Sequence, residues 1–355
     1  MTRTEVRRVL DQAVSDGGVP GVIADIRDAQ GAWFGTAGVA DTATGGERHQ
    51  DDRFRIGSIT KAFTSTVVLK LAAEGRLSLD DTVDKWLPGL VRGNGNDGAK
   101  ITVRQLLNQT SGLFNYSLSE RLMPQYVGPA FLEHRFDDHS PEGLVREALA
   151  SPPDFAPGAG WGYSNTNFVL AGMIIERATG RSYAEEVDHR IARPLGLTET
   201  YVPGDDTKLR GPHARHYSKL MLPEPDAPVH DVTELNASIG WAAGGMVSTA
   251  GDLHTFYRAL LGGRLLPPAQ QEEMFTGVST EGSPWIPDTT YGLGVFWQRL
   301  PSGVTAWGGG GAIHGSWTYA MGSRDGEHFV VSNVNGDWGN PIAMFTELLE
   351  AELCS

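Results

Sequence analysis

Strand-like segments lie at the two ends of this chain, and its long middle is built of helices and loops. Gly21-Val-Ile-Ala-Asp-Ile-Arg27 and Ala32-Trp-Phe-Gly-Thr-Ala-Gly38 read as two strands joined by a hairpin turn at Asp28-Ala-Gln-Gly31. Strand-like segments return at Tyr291–Trp297, Gly303–Trp307, Ser316–Met321 and His328–Asn333. One sheet built from both ends, with the middle as an insertion, is the arrangement this pattern favours. The expected fold is therefore α/β of the α+β kind, an antiparallel sheet flanked by helices plus an inserted all-helical domain. Residues 1–75 and 236–355 would form the sheet domain and 76–235 the helical insertion, with a site at the seam between them.

The helical signals are clear in places. Val6, Leu10 and Val14 give the first segment an amphipathic spacing. A helical pattern runs from Ser58 to Glu74 with Gly75 as its stop, and another from Asn167 to Gly180. A further helix follows Thr249. The chain closes on a helix with Asn340 as N-cap and Pro341 at its first position. Val202 to Val229 is rich in Pro, Gly and Asp and is expected to be a long surface loop.

Composition excludes several function classes. With 29 basic and 43 acidic residues in 355, the chain carries a net charge of −14. Such a chain has no general attraction to nucleic acid or an anionic membrane. The single cysteine, Cys354, lies beside the C-terminus, so no intrachain disulfide is possible and a thiol nucleophile there is a poor prospect. The N-terminal residues lack the apolar stretch of a signal peptide, and Lys70 interrupts the most apolar run. A cytoplasmic location is the expectation, with secretion if a leader has been trimmed. No metal or cofactor is expected. Gly93-Asn-Gly-Asn-Asp-Gly98 matches a dinucleotide fingerprint but lacks its strand and helix context.

Three clusters can carry chemistry. In Ser58-Ile-Thr-Lys61, a helix starting at the serine puts Lys61 one turn on, on the same face. A serine hydroxyl is a weak nucleophile until a base takes its proton, and a lysine kept neutral by burial can be that base. The first amides of the helix also suit a developing oxyanion. The plain alternative is an N-cap serine and a solvated lysine. The second cluster is Tyr163-Ser-Asn165, whose phenol can pass a proton to a leaving group and whose amide can hold a substrate amide. A turn tyrosine and a capping asparagine are the alternative. In the third, Trp307-Gly-Gly-Gly-Gly-Ala-Ile-His314, four successive glycines beside a strand let another backbone approach closely. They read either as a sheet edge that receives an extended substrate or as a flexible turn.

Together, from about Gly21 onward, these clusters resemble the serine β-lactamase and penicillin-binding-protein superfamily, whose S-x-x-K motif Ser58–Lys61 matches. The nearest resemblance is to actinomycete D-alanyl-D-alanine carboxypeptidases and their class C β-lactamase and esterase relatives. Arg53-Phe-Arg-Ile-Gly-Ser-Ile-Thr-Lys61, Ile101-Thr-Val-Arg-Gln-Leu-Leu107, Thr110-Ser-Gly-Leu113, Tyr163–Gly172, Arg193-Pro-Leu-Gly-Leu197 and Tyr291-Gly-Leu-Gly294 carry the likeness. The resemblance implies Ser58 as nucleophile, Lys61 as base, Tyr163 and Asn165 as the second motif, and an oxyanion hole on the amides of Ser58 and Ala312.

The departures bear on substrate. The family's third motif is Lys or His, then Thr or Ser, then Gly, and here it falls on Gly309-Gly310-Gly311, followed by Ala312. The carboxypeptidases' arginine after Tyr-Gly-Leu-Gly is missing; Arg299 is the nearest cation. A substrate carboxylate would lose charge-assisted bonds worth about 1.5–3 kcal/mol each. His314 is a candidate relay that would compensate, with a structural histidine as the alternative. Trp241, Trp297, Trp307 and Trp317 are candidates for an apolar pocket, or for the core.

The expected function is that of a serine acyl hydrolase or acyltransferase acting on a D-residue-containing peptide ester, thioester or amide. Peptidase, esterase and peptide cyclase chemistry all fit, with a peptide or small acyl substrate, free or carrier-bound. The alternatives are a D-Ala-D-Ala carboxypeptidase or β-lactamase, and a binding module without turnover.

Overall fold

In the computed structural model, which describes residues 3–354, strands from both ends of the chain meet in one eight-stranded sheet. Its order is Gly31–Gly38, Gly21–Asp28, Phe329–Val334, Ser316–Gly322, Thr305–Ile313, Phe296–Arg299, Thr289–Tyr291 and Val278–Ser279. Every neighbouring pair is antiparallel. The side-chain period of two splits each strand between two cores. Val22, Ala24 and Ile26 face the helices Thr4–Ser15 and Pro341–Leu353, which bury Val6, Leu10, Phe345 and Leu348. Ile23, Ala320 and Val331 face the other way, toward Phe63 and Phe256. Those two phenylalanines stack at 3.8 Å between the helices Thr60–Ala73 and Ala250–Leu261.

Arg3 fastens the chain ends together by donating to Asp28 at 2.6 Å and to Glu352 at 2.8 Å. The segment between the strands supplies helices, of which Asn165–Thr179 is buried along most of its length. Among the described residues no helix is long and apolar enough to cross a membrane.

Three details differ from the sequence reading, and each moves a functional residue. The helical run after Phe54–Arg55 opens as a 3-10 turn, Gly57–Ile59, and becomes α-helical at Thr60. The expected strand Tyr291–Trp297 is broken. Gly292 N–H donates to Val295 O, and Gly294 N–H leaves the sheet for Leu107 O. The glycines at 308–311 lie within a strand, Thr305–Ile313, rather than beside one.

Candidate active site

The Gly57–Ile59 turn and the glycine strand press backbone against backbone. A Cβ at Gly311 would lie 2.1 Å from Ile56 O and 2.5 Å from Ser58 N. A Cβ at Gly57, whose φ is +51°, would lie 2.5 Å from Ala312 N. Only glycine at both positions permits this approach, and it brings the amides of Ser58 and Ala312 to one place. Their orientation follows from the ladder. Ile313 and Ser316 close a two-residue hairpin, so they form the hydrogen-bonded pair, and Ala312, opposite Trp317, turns its N–H away from that strand. The neighbouring strand on the open side pairs only as far as Gly308. Gly310 and Ala312 therefore present a free edge beside Ser58.

Two side chains, Lys61 and Tyr163, meet the serine hydroxyl, and Asn165 holds the first of them. Lys61 Nζ lies 2.9 Å from Ser58 Oγ, 2.8 Å from Asn165 Oδ1 and 2.7 Å from Ala243 O. Tyr163 Oη lies 2.5 Å from Ser58 Oγ. Lys61 is 1% exposed, and burial holds its pKa well below the ordinary lysine range. A neutral amine has two hydrogens and one lone pair. Asn165 Oδ1 and Ala243 O can only accept, so they take both hydrogens, and the lone pair is left for the Ser58 hydroxyl. Burial raises the Tyr163 phenol above its usual range, a shift the Ser58 hydrogen bond opposes, so the ring keeps its proton. The aromatic ring stacks on Trp285 at 4.5 Å.

Ser58, Asn165 and Ala312 form the wall shared by two cavities. The first, of about 370 Å³, is lined by Tyr163, Trp285, Phe296, Trp317, Tyr319 and Ile342. The second, of about 270 Å³, lies toward the helices and is lined by Tyr116, Leu118, Met123, Tyr126, Met221 and Ile239. Among the described residues lining either cavity, none carries a charge.

A family model described as Beta-lactamase matches residues 6–352. The chain belongs to the beta-lactamase family. Its fold is shared with a D-stereospecific amidohydrolase from Streptomyces sp., at TM-score 0.91 and 51% identity, covering 100% of this chain and 99% of that one. A D-amino acid amidase from Ochrobactrum anthropi SV3 superimposes at TM-score 0.84 with 28% identity, over 98% of this chain and 97% of that one. The Bacillus subtilis penicillin-binding protein 4* is 31% identical over 70% of this chain and 53% of its own length. Esterase EstB of Burkholderia gladioli is 35% identical over 54% of this chain and 49% of the esterase. The chain thus spans about half the length of these last two relatives.

In this member of the beta-lactamase family, four sequence expectations need correction. His314 does not face Ser58. Its ring is buried, stacks on Phe131 at 3.6 Å and bonds Tyr126 O through Nε2 at 2.8 Å. Burial lowers its pKa to about 4, against the opposing effect of the hydrogen bond that Nε2 donates to the Tyr126 carbonyl, so it is a neutral packing residue behind the second cavity. Trp297 stacks on Trp307 at 4.5 Å on the sheet face opposite Phe296, because the break at Gly292–Val295 resets the alternation. Trp241 packs into the core against Tyr183, at 5.4 Å. Gly309 faces inward, where a Cβ would meet Tyr257 Oη, whereas Gly310, Gly311 and Ala312 line the first cavity.

The sequence reading passed over Trp285, Tyr319 and the walls of the second cavity. Trp285 had a signal, since a lone tryptophan in Gly282-Ser-Pro-Trp-Ile-Pro287 has no strand or helix to serve. The walls of the second cavity had none, because they come from separate segments of the chain.

Proposed function

We propose that the protein is a serine acyl hydrolase that acts on uncharged esters or amides of apolar D-configured residues through an acyl-enzyme on Ser58. The observation that carries this reading is a serine, lysine and tyrosine in mutual hydrogen-bond contact between two cavities whose walls hold no charge. Neutral Lys61 takes the Ser58 proton as Oγ attacks the substrate carbonyl. The amides of Ser58 and Ala312 hold the oxyanion. Tyr163 gives its proton to the departing nitrogen or oxygen and is reprotonated from Lys61. Water then adds to the ester by the reverse route, releasing the acid and restoring Ser58.

Tyr163 lines the first cavity, which supports a leaving group on the side of Trp285 and Trp317 and an acyl residue on the side of Tyr116 and Met123. The D-preference is supported by the likeness to the Streptomyces amidohydrolase, described as D-stereospecific, and to the Ochrobactrum D-amino acid amidase. A D-Ala-D-Ala carboxypeptidase or β-lactamase would need a cation for the substrate carboxylate, and Arg299 is exposed at the far end of its strand.

Intact-mass spectrometry with product analysis tests the reading. An N-acetyl-D-phenylalanine ester and amide should turn over, and Ser58→Ala should leave both intact. A cyclic or transacylated product from a peptide thioester would move the assignment to acyltransferase. Rapid release of D-Ala from a D-Ala-D-Ala acid would overturn it in favour of a carboxypeptidase.

A further inference from the structure

Near the strand that leads into the Ser58 turn, two arginines are buried, and a buried carboxylate pairs with one of them. Arg48 is 2% exposed and Arg55 1%. Arg48 has Asp52, itself buried, 3.5 Å from its Nε. Among the described residues Arg55 has no ion pair. Its Nη2 is directed at three carbonyl oxygens, Thr207 at 2.9 Å, Leu235 at 3.1 Å and Thr233 at 3.2 Å. Asp206, whose charge also acts on Arg55, lies out at the surface. One buried positive charge is therefore uncompensated, which is costly unless something pairs with it.

The hydrogen-bond inventory points the same way. Nη1 of Arg48, Nε and Nη1 of Arg55, and both ring nitrogens of His216 are buried without hydrogen-bond partners among the described residues, and Arg48 Nε has only Asp52 at 3.5 Å. The arginine nitrogens only donate, and a neutral imidazole has one donor and one acceptor. The cluster is short of acceptors rather than donors.

These groups share one neighbourhood. His216 N–H donates to Thr233 Oγ1, and Arg55 binds the Thr233 carbonyl. Arg48 Nη2 donates to Asn333 Oδ1, Asn333 Nδ2 to Ser316 Oγ, and Ser316 Oγ to the Arg55 carbonyl. Both arginines act electrostatically on His216, which burial keeps neutral.

We propose that Arg48, Arg55 and His216 enclose a binding site for one small monovalent anion of the chloride class. The charge matches, because one monovalent anion balances the unpaired guanidinium. The donors match, because a halide only accepts. The bound ion would tie the strand end before Ser58 to the loop that carries Thr207, Thr233 and Leu235, and would stabilise the folded chain by mass action.

Diffraction near the bromine edge from crystals soaked in sodium bromide tests this directly. The expected result is an anomalous peak within hydrogen-bond reach of Arg55 Nε or Nη1. In solution, Tm should rise saturably with chloride against gluconate at fixed ionic strength, and Arg55→Gln should lose both the peak and the rise. Water density alone at the cluster, with coincident melting curves, would overturn the site. So would a peak that persists in Arg55→Gln or leaves Tm unmoved, which would mark an adventitious ion only. The bromide peak needs no variant, so a poorly folding Arg55→Gln leaves the test intact.

Discussion

Among the described residues Lys61 has no carboxylate beside it, and the two carbonyl oxygens it holds leave a lone pair for the Ser58 hydroxyl only when the amine is neutral. Two outcomes follow from that protonation state. As pH falls through the depressed pKa of Lys61, the amine charges and the base is lost, so kcat/KM should fall on the acid side with one ionisation. Lys61→Arg, permanently charged, should lose roughly 10²–10⁴-fold in kcat at every pH. The stability sign is opposite to that of a salt-bridged group. Because burial lowers the folded pKa, Lys61 destabilises the fold at every pH below the unfolded value. Lys61→Met should therefore abolish turnover while raising Tm at neutral pH, as calorimetry would show. Tyr163→Phe should reduce kcat most for poor leaving groups, since an activated aryl ester departs without a proton. A uniform loss across leaving groups would count against its acid role.

At the scale of elements, the site depends on a strand and a turn that touch without side chains. Gly311→Ala must push Ser58 N and Ile56 O apart. The expected result is a loss of about 10²–10³-fold in kcat, the cost of one misplaced oxyanion donor, measurable at saturating ester. The helices and most strands were legible because each has a period of its own. The register of those strands was not. A break of a few residues decides whether Phe296 or Trp297 faces the substrate, and that break is set by the long-range bond from Gly294 to Leu107 O. The helix placed at Asn167 begins at Asn165 instead, because Asn167 is committed to Ser111 and Gln109. Asn165 is thereby put in the first turn, facing Lys61.

At the scale of the molecule, the sheet is closed by the two chain ends, and Arg3, Asp28, His328 and Glu352 fasten them. Burial would raise the Glu352 pKa, but His328 and Arg3 outweigh it and hold the carboxyl below its usual range. A depressed carboxylate contributes stability above its unfolded pKa and loses it as pH falls through the folded value. Glu352→Gln should cost about 1–3 kcal/mol at pH 7, and its Tm should converge with that of the parent in acid. Equal melting temperatures at pH 7 would remove the clasp from the account of stability.

The amino-acid sequence alone determined the fold class, because periodicity is a local property, and its short motifs, Ser58–Lys61 among them, carried the resemblance to the family. It also located the missing cation in the third motif. The tertiary structure alone decided which groups meet. His314, Trp241 and Trp297 are the right residue types in the right segments, and packing turns them away from the site. Trp285, Tyr319 and the Tyr116 cavity wall come from segments far apart in the chain. Which side chains line a cavity depends on the summed registers of the elements around it, and no single segment encodes that sum.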